Sequence, residues 1–341
     1  MTPGQRVGQL ILLGLANDRL GPDELRAIAQ EHVGSVWFVE RSDGGVSAIR
    51  AVTDAVQAQA TMQATGGVGF LVAANQEGGI TQALHGPGFT EMPSAAVQGT
   101  MPASTLENEA ATWGGQLRLA GVNLDFAPVM DTVPPGGDAG NQPIGVLHRA
   151  FGHDPATVSE HGVAFLRGLQ RASVLTTIKH FPGLGRVQGN TDFTASVVDR
   201  VTTPADPFLQ PFGRGIAAGA DLVMVALATY TQIDPDHLAA FSPRVMQMLR
   251  ADEGFSGVIV SDDLGATAAV AGIEPGARAI TFLSAGGDLI ISKTAQATAA
   301  MVQAILTRVQ DDATLRVRME DAVRRVLALK QRAGLLPCAA A

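Results

Sequence analysis

The sequence predicts a closed barrel of eight parallel strands alternating with helices, the (β/α)8 architecture, and three observations lead there. The segments Ala120-Gly121-Val122-Asn123-Leu124, Ala218-Gly219-Ala220-Asp221-Leu222 and Ala285-Gly286-Gly287-Asp288-Leu289 each join a helical pattern to an apolar strand. Glycine ends the helix and the strand starts within two residues. The strands that follow, at 124–129, 222–226 and 289–291, are apolar on both faces, the pattern of strands buried in a parallel sheet. A barrel of ~250 residues with insertions uses the 341-residue length as a single domain, 1–341. A doubly wound open sheet is the alternative, and no Gly-x-Gly-x-x-Gly follows the first strand to support it.

In chain order, Val7, Leu10, Ile11 and Leu15 fit one helical face, and a second helix is expected over 22–32. Residues 35–39 read as a short β-prone strand and 46–62 as its crossover helix. The next strand, 68–74, ends in Asn75-Gln76-Glu77-Gly78-Gly79. Residues 174–177 read as a buried strand that ends at Lys179-His180 and a Pro/Gly-rich loop, and 258–260 as a further strand. Leu315, Met319, Val323, Val326 and Leu327 stand at helical spacing, so packing helices are expected over about 298–333.

Composition narrows the function. A formal charge of −8 gives no basic footprint for nucleic acid or an anionic membrane, so a small or neutral ligand is expected. The single cysteine, Cys338, expected in a C-terminal tail, excludes a disulfide framework and a multi-cysteine zinc site. No cofactor and no metal are expected. No run approaches the ~18 apolar residues of a membrane span, and residues 1–6 lack the apolar core of a signal peptide. A cytoplasmic monomer is therefore expected of the chain as it stands, exported if a leader precedes it.

In a barrel, residues just after strand ends share one face although they are distant in sequence. That face would carry Glu77, Asp131, Arg149, Lys179, His180, Asp192, Asp262 and Asp263. Carboxylates with one Arg, one Lys and one His, without His-Glu-x-x-His spacing, favour acid/base or nucleophilic carboxylate chemistry over metal hydrolysis. A retaining glycosidase needs two carboxyl groups ~5–5.5 Å apart, one attacking the anomeric carbon and one moving a proton. Asp262 is the strongest candidate, because the strand 258–260 ends in Asp262-Asp263; adjacent aspartates are also ordinary helix caps, and one can cap while the other catalyses. Trp37 and Trp113 read as core residues. His32, His85, His148, His153, His161 and His237 show no ligand spacing, and only His148, beside Arg149, invites a site reading.

With these residues in view, the chain resembles glycoside hydrolase family 3, and within it the single-barrel β-N-acetylglucosaminidases of bacterial cell-wall recycling. The resemblance runs in order through Val7-Gly8-Gln9-Leu10, Asn75-Gln76-Glu77-Gly78-Gly79, Gly86-Pro87-Gly88-Phe89, Pro93-Ser94-Ala95 and Asp125-Phe126-Ala127-Pro128-Val129-Met130-Asp131. It continues through Arg149-Ala150-Phe151-Gly152, Lys179-His180-Phe181-Pro182-Gly183 and Ser261-Asp262-Asp263-Leu264. It implies that Asp262 is the nucleophile of a covalent glycosyl-enzyme, and that Asn75, Asp131, Arg149, Lys179 and His180 belong to the sugar site.

The family's loop reads Gly-His-Gly followed at fixed spacing by Asp-Ser-His, whose His is the acid/base. Here Leu184 replaces the first His, and Asn190-Thr191-Asp192 falls on Asp-Ser-His without gaps, which makes Asp192 the expected acid/base and Asn190 its partner position. A two-residue slip would instead set Thr194 on the His and leave no proton shuttle. Asn75 and Ile80 stand where the family has Asp and Arg, and Leu227 where a His is common. Two readings follow: a retaining exo-glycosidase using Asp262 and Asp192 on a small carbohydrate, or a catalytically impaired glycan-binding member; transfer to an acceptor other than water is a third.

Overall fold

The computed structural model describes residues 1–337, so Cys338 lies outside the described residues. Its strands are β1 (Ile11–Leu15), β2 (Ser35–Phe38), β3 (Leu71–Ala74), β4 (Leu124–Asp125), β5 (Leu175–Phe181), β6 (Val198–Asp199), β7 (Leu222–Val225), β8 (Thr229–Tyr230), β9 (Asp234–Leu238), β10 (Val258–Ser261) and β11 (Ile290–Ser292). Eight of them form one parallel sheet in the order β10-β7-β5-β4-β3-β2-β1-β11. The two ends of that order meet, because Val260 bridges Leu289 and the Ser261 amide donates to the Leu289 carbonyl at 3.0 Å. The result is the expected (β/α)8 barrel, with its strands buried on both faces and helices outside. Strands β6, β8 and β9 form a small separate sheet beside it.

The first strand of the barrel is a correction. Residues 7–15 do not make one helical face: a short helix, Pro3–Gly8, ends before Leu10, and Ile11–Leu15 is β1, hydrogen-bonded between β2 and β11. Five buried residues in a row satisfy a strand wetted on neither face as well as they satisfy a helix, and only the neighbours decide. Gly14 belongs to that decision, since a Cβ there would stand 2.7 Å from the Lys293 carbonyl oxygen.

Smaller differences have equally local causes. The helix expected over 46–62 is Gly45–Gln57, followed by a separate turn of helix at Met62–Thr65. The strand expected over 124–129 pairs regularly as β4 only at Leu124–Asp125; beyond it the Ala127 and Pro128 carbonyls still accept from the Thr177 and Lys179 amides at 3.0 and 3.3 Å, but Pro128 has no amide to donate in return. The strand expected at 174–177 runs on to Phe181, so Lys179 and His180 lie within β5 rather than beyond it. The packing helices are Ala295–Asp311 and Ala313–Arg332, the second beginning at an Asp312 cap that accepts from the Leu315 amide at 2.9 Å.

The end of the barrel where the strands begin is closed by buried charged side chains that bond to the barrel itself. Lys330, fully buried, donates to Gln9 Oε1 at 2.6 Å, to the Gly34 carbonyl at 2.5 Å and to the Gly69 carbonyl at 3.0 Å. Burial pulls its pKa down to about 7. Nearby, Asp288 is held by Arg250 and by Arg318 Nη2 at 2.5 Å, while the Asp288 carboxylate also accepts from the Ile259 amide at 2.8 Å. Among the described residues, no helix is long and apolar enough to cross a membrane.

Candidate active site

The opposite end opens into a cavity of 530 Å³ whose walls come from seven strand ends and the loops after them. Consecutive residues of a regular strand face opposite ways, yet Lys179 and His180 both line this cavity. The pairing of β5 with β7 is irregular between Ile178 and Phe181, and that break allows both side chains to reach the same space.

One wall is organised around Glu77. Its carboxylate takes a bidentate pair from Arg149, with Nε to Oε2 and Nη2 to Oε1 both at 2.8 Å, and lies 2.6 Å from Lys179 Nζ. Thr81 Oγ1 adds a hydrogen bond at 3.1 Å. Burial alone would raise the pKa of Glu77, but Arg149 and Lys179 outweigh it and hold the carboxyl well below the usual range. Lys179 Nζ also donates to Asn75 Oδ1 at 2.8 Å. That bond turns the Asn75 amide nitrogen away from the lysine, so Asn75 keeps hydrogen-bonding capacity while lacking charge.

Asp131 sits beneath His180 and is wholly buried, outside the cavity lining. Its Oδ2 is 2.7 Å from His180 Nδ1, its two oxygens accept from the His180 amide at 3.2 Å each, and Oδ1 accepts from the Leu184 amide at 2.7 Å. Expected as a sugar contact, it instead fixes the imidazole so that Nε2 is the nitrogen left for a ligand. Beneath the same wall, Asp125 accepts from the Gln76 amide at 2.9 Å while its Oδ2 has no partner. Burial pushes its pKa up to about 7, against the Gln76 bond and the Lys179 charge.

The facing wall carries carboxylates. Asp262 follows β10, lines the cavity and accepts from the Asp263 amide at 2.8 Å. Asp263 does the capping: its carboxylate accepts from the amides of Gly265 at 2.7 Å, Ala266 at 3.0 Å and Lys293 at 2.8 Å, closing a turn rather than starting an α-helix. Burial raises its pKa. Asp192 comes over the cavity from the loop after β5. The residue as a whole is exposed, and partial desolvation of its carboxyl by the cavity walls first, then the charge of Asp262, pushes its pKa up to about 6, against the pull of Arg149 and His180. Asn190 Oδ1 accepts from the Asp192 backbone amide at 2.9 Å, so Asn190 shapes the turn and is bonded to the backbone of Asp192.

The structure thus gathers Asn75, Arg149, Lys179, His180, Asp192 and Asp262 around one space, with Asp131 supporting from below. Leu184 and Leu227 are buried apolar residues, and Ile80 stands exposed at the cavity's edge, as does Phe193, which is 83% exposed. Trp37 differs from its expected place: it is largely buried, edge-on to Phe126 with centroids 5.9 Å apart, and it also lines the cavity. A strand residue at the open end of a barrel is covered by the barrel on one side and meets ligand space on the other. Trp113 is core. His148 lines a second, separate cavity with His153 and Asp138, while His85 and His161 are buried among hydrogen-bond partners. Sequence reasoning placed Glu77 on the right face without giving it a role; its position two residues after Asn75, on a strand end turned by Gly78 and Gly79, was the available signal.

A parallel barrel whose open end gathers carboxyl groups with an Arg, a Lys and a His is an arrangement that suits a carbohydrate hydrolase. Comparison with known proteins agrees. Residues 4–329 match the family described as "Glycosyl hydrolase family 3 N terminal domain". The chain is 33% identical over 291 residues to a beta-hexosaminidase of Stenotrophomonas maltophilia, covering 83% of this chain and 82% of that one. It is 31% identical over 325 residues to a beta-hexosaminidase of Xanthomonas oryzae pv. oryzae, covering 90% of each. Among solved structures, a beta-N-acetylhexosaminidase from Beutenbergia cavernae superposes with a TM-score of 0.95 at 47% identity, covering 97% of this chain and 99% of that one. The chain belongs to glycosyl hydrolase family 3, and its relatives support glycoside hydrolase activity.

Proposed function

We propose that the protein is a retaining, exo-acting β-N-acetylhexosaminidase that removes a terminal sugar from cell-wall-derived or related glycans. The relatives named beta-hexosaminidase and beta-N-acetylhexosaminidase support the sugar class. Asp192 carries the mechanism: it lines the same cavity as Asp262 and has a pKa of about 6, so it holds a proton in mildly acidic solution while a second carboxylate is there to attack.

In the first step an oxygen of Asp262 bonds to the anomeric carbon while the glycosidic C–O bond breaks, and the Asp192 proton passes to the leaving oxygen. In the second, water attacks the anomeric carbon, its proton passes to Asp192, and the bond to Asp262 is released as a carboxylate. Arg149, Lys179 and Asn75 donate to ring substituents of the sugar, and His180 presents Nε2 under the control of Asp131. Asn190 bonds the Asp192 backbone, and its neutral amide carries no charge to replace the aspartate of the family's dyad; desolvation over the cavity and the neighbouring Asp262 raise the Asp192 pKa instead.

Incubation with a 2-deoxy-2-fluoroglycosyl or 5-fluoroglycosyl substrate followed by peptide mass spectrometry tests the reading. An adduct on Asp262 is expected. The buried apolar Leu184 and Leu227, in place of polar family residues, favour the rival reading of a glycan-binding member without turnover. Sugar binding by calorimetry with neither adduct nor hydrolysis would establish that rival.

A further inference from the structure

The loop that carries Asp192 is fastened along its length. Leu184 and Val187 are buried, and the Leu184 amide is bound by Asp131. Tyr230 Oη donates to the Gly183 carbonyl at 2.8 Å, and Arg186 Nη1 reaches Asp206 Oδ2 at 2.6 Å with its guanidinium 3.7 Å from the centre of the Phe208 ring. A Cβ at Gly185 would collide with the Thr132 carbonyl oxygen, so the loop backbone lies directly on the segment after β4. Beyond the Asp192 position, the amides of Ala268 and Ala269 donate to the carbonyls of Asp192 and Thr191 at 3.2 and 3.1 Å, joining the loop to the turn that follows Asp262.

One side chain ties this loop to the segment bearing Arg149. Asn141 is 2% exposed, and its Nδ2 donates to the Leu184 and Val187 carbonyls, each at 2.7 Å. Its Oδ1 accepts from the amides of Ile144 at 3.1 Å and Gly145 at 2.8 Å. The Arg149 amide in turn donates to the Ile144 carbonyl at 3.0 Å, and the Gln142 amide donates to the Gln188 carbonyl at 3.1 Å. Two donors and two acceptor sites are all used, which is the full capacity of a buried carboxamide in this setting.

We propose that Asn141 is a positioning residue for catalysis: its carboxamide latches the Asp192 loop to the Arg149 segment and holds the acid/base carboxyl over the cavity. The inference rests on Asp192 being the acid/base. Asp192 faces Asp262 and Asp263 from the turn after β10, Arg149 from the segment after β4, and His180 from β5. Unlatching lets the carboxyl swing off the cavity wall and away from Asp262, which removes the net upward push and lowers its pKa toward the ordinary value of 3.8.

The test compares wild type with Asn141→Ala and Asn141→Asp, using an unactivated N-acetylglucosaminide and amide hydrogen exchange. Asn141→Asp keeps the acceptor for Ile144 and Gly145 and sets an oxygen against the Leu184 and Val187 carbonyls, so it breaks the latch by repulsion; it carries the exchange and kcat readouts if Asn141→Ala does not fold, and the pH limb is then read in Asn141→Ser. The variants are expected to lose roughly tenfold or more in kcat and to speed exchange of amides in 183–193, and the uncharged ones to move the alkaline limb of kcat/KM down by about one pH unit or more. Unchanged exchange there, or a lower kcat with an unmoved alkaline limb in an uncharged variant, overturns the latch. Faster exchange with a wild-type pH profile that Asp192→Asn leaves intact overturns instead the role given to Asp192.

Discussion

Two buried lysines stand at opposite ends of the same barrel, and their surroundings separate fold from function. Lys330 fills the closed end and spends its donors on Gln9, Gly34 and Gly69, all parts of the barrel itself. Lys179 has two partners, Glu77 and Asn75, and faces open space. Complete satisfaction marks a side chain that holds strands together; a charged donor kept buried with capacity to spare marks one that waits for a ligand. Substitutions at the closed end should therefore cost stability and spare the chemistry of the molecules that fold, and substitutions at the open end should do the reverse.

The largest effect expected is at the open end. Asp262→Asn removes the oxygen proposed to attack and should lower turnover by about 10³-fold or more while leaving the thermal midpoint unchanged or higher, since it also relieves repulsion with Asp192. An equal loss of stability would break the contrast. Glu77→Gln is the sharpest challenge, because Glu77 is at the open end yet binds two cations. It should destabilise the fold by about 3–5 kcal/mol in denaturant titration, by leaving Arg149 and Lys179 without a counter-charge, and should impair sugar binding too.

At the closed end, Lys330→Met should cost roughly 2–4 kcal/mol, because three buried acceptors lose their donor, with kcat/KM of the folded fraction unchanged. The smallest effect expected is at Asp125. Its folded pKa of about 7 lies above the ordinary aspartate value of 3.8, so its protonation favours the folded state fully at low pH, and that contribution is lost as pH rises through about 7. Asp125→Asn should flatten this dependence and gain ~1 kcal/mol over wild type above pH 7, read from unfolding curves across pH.

The same contrast explains what was legible in the sequence. Residues at the open end announce themselves, because Lys179-His180 and Asp262-Asp263 interrupt apolar runs and strand-end logic brings them to one face. Most strands were readable for a related reason: runs such as 222–226 begin just after glycine-marked helix ends. The first strand was not, because Ile11–Leu15 is apolar at every period, and its register is set by β2 and β11 rather than by its own residues. Asn141 and Asp131 were obscured differently. An asparagine in a polar loop gives no local sign that its amide is buried between two segments, and an aspartate after a strand looks the same whether it meets a sugar or a histidine.

The central claim is that Asp192 has taken over the proton transfer, and leaving-group dependence tests it most directly. Asp192→Ala should lose about 10²–10⁴-fold in kcat/KM on a substrate with a poor leaving group, far less on a dinitrophenyl glycoside, and should regain turnover with azide as the nucleophile. The wild-type alkaline limb should fall near pH 6 and vanish in the variant. Equal activity of Asp192→Ala and wild type on the poor leaving group, with the limb unmoved, would contradict the account.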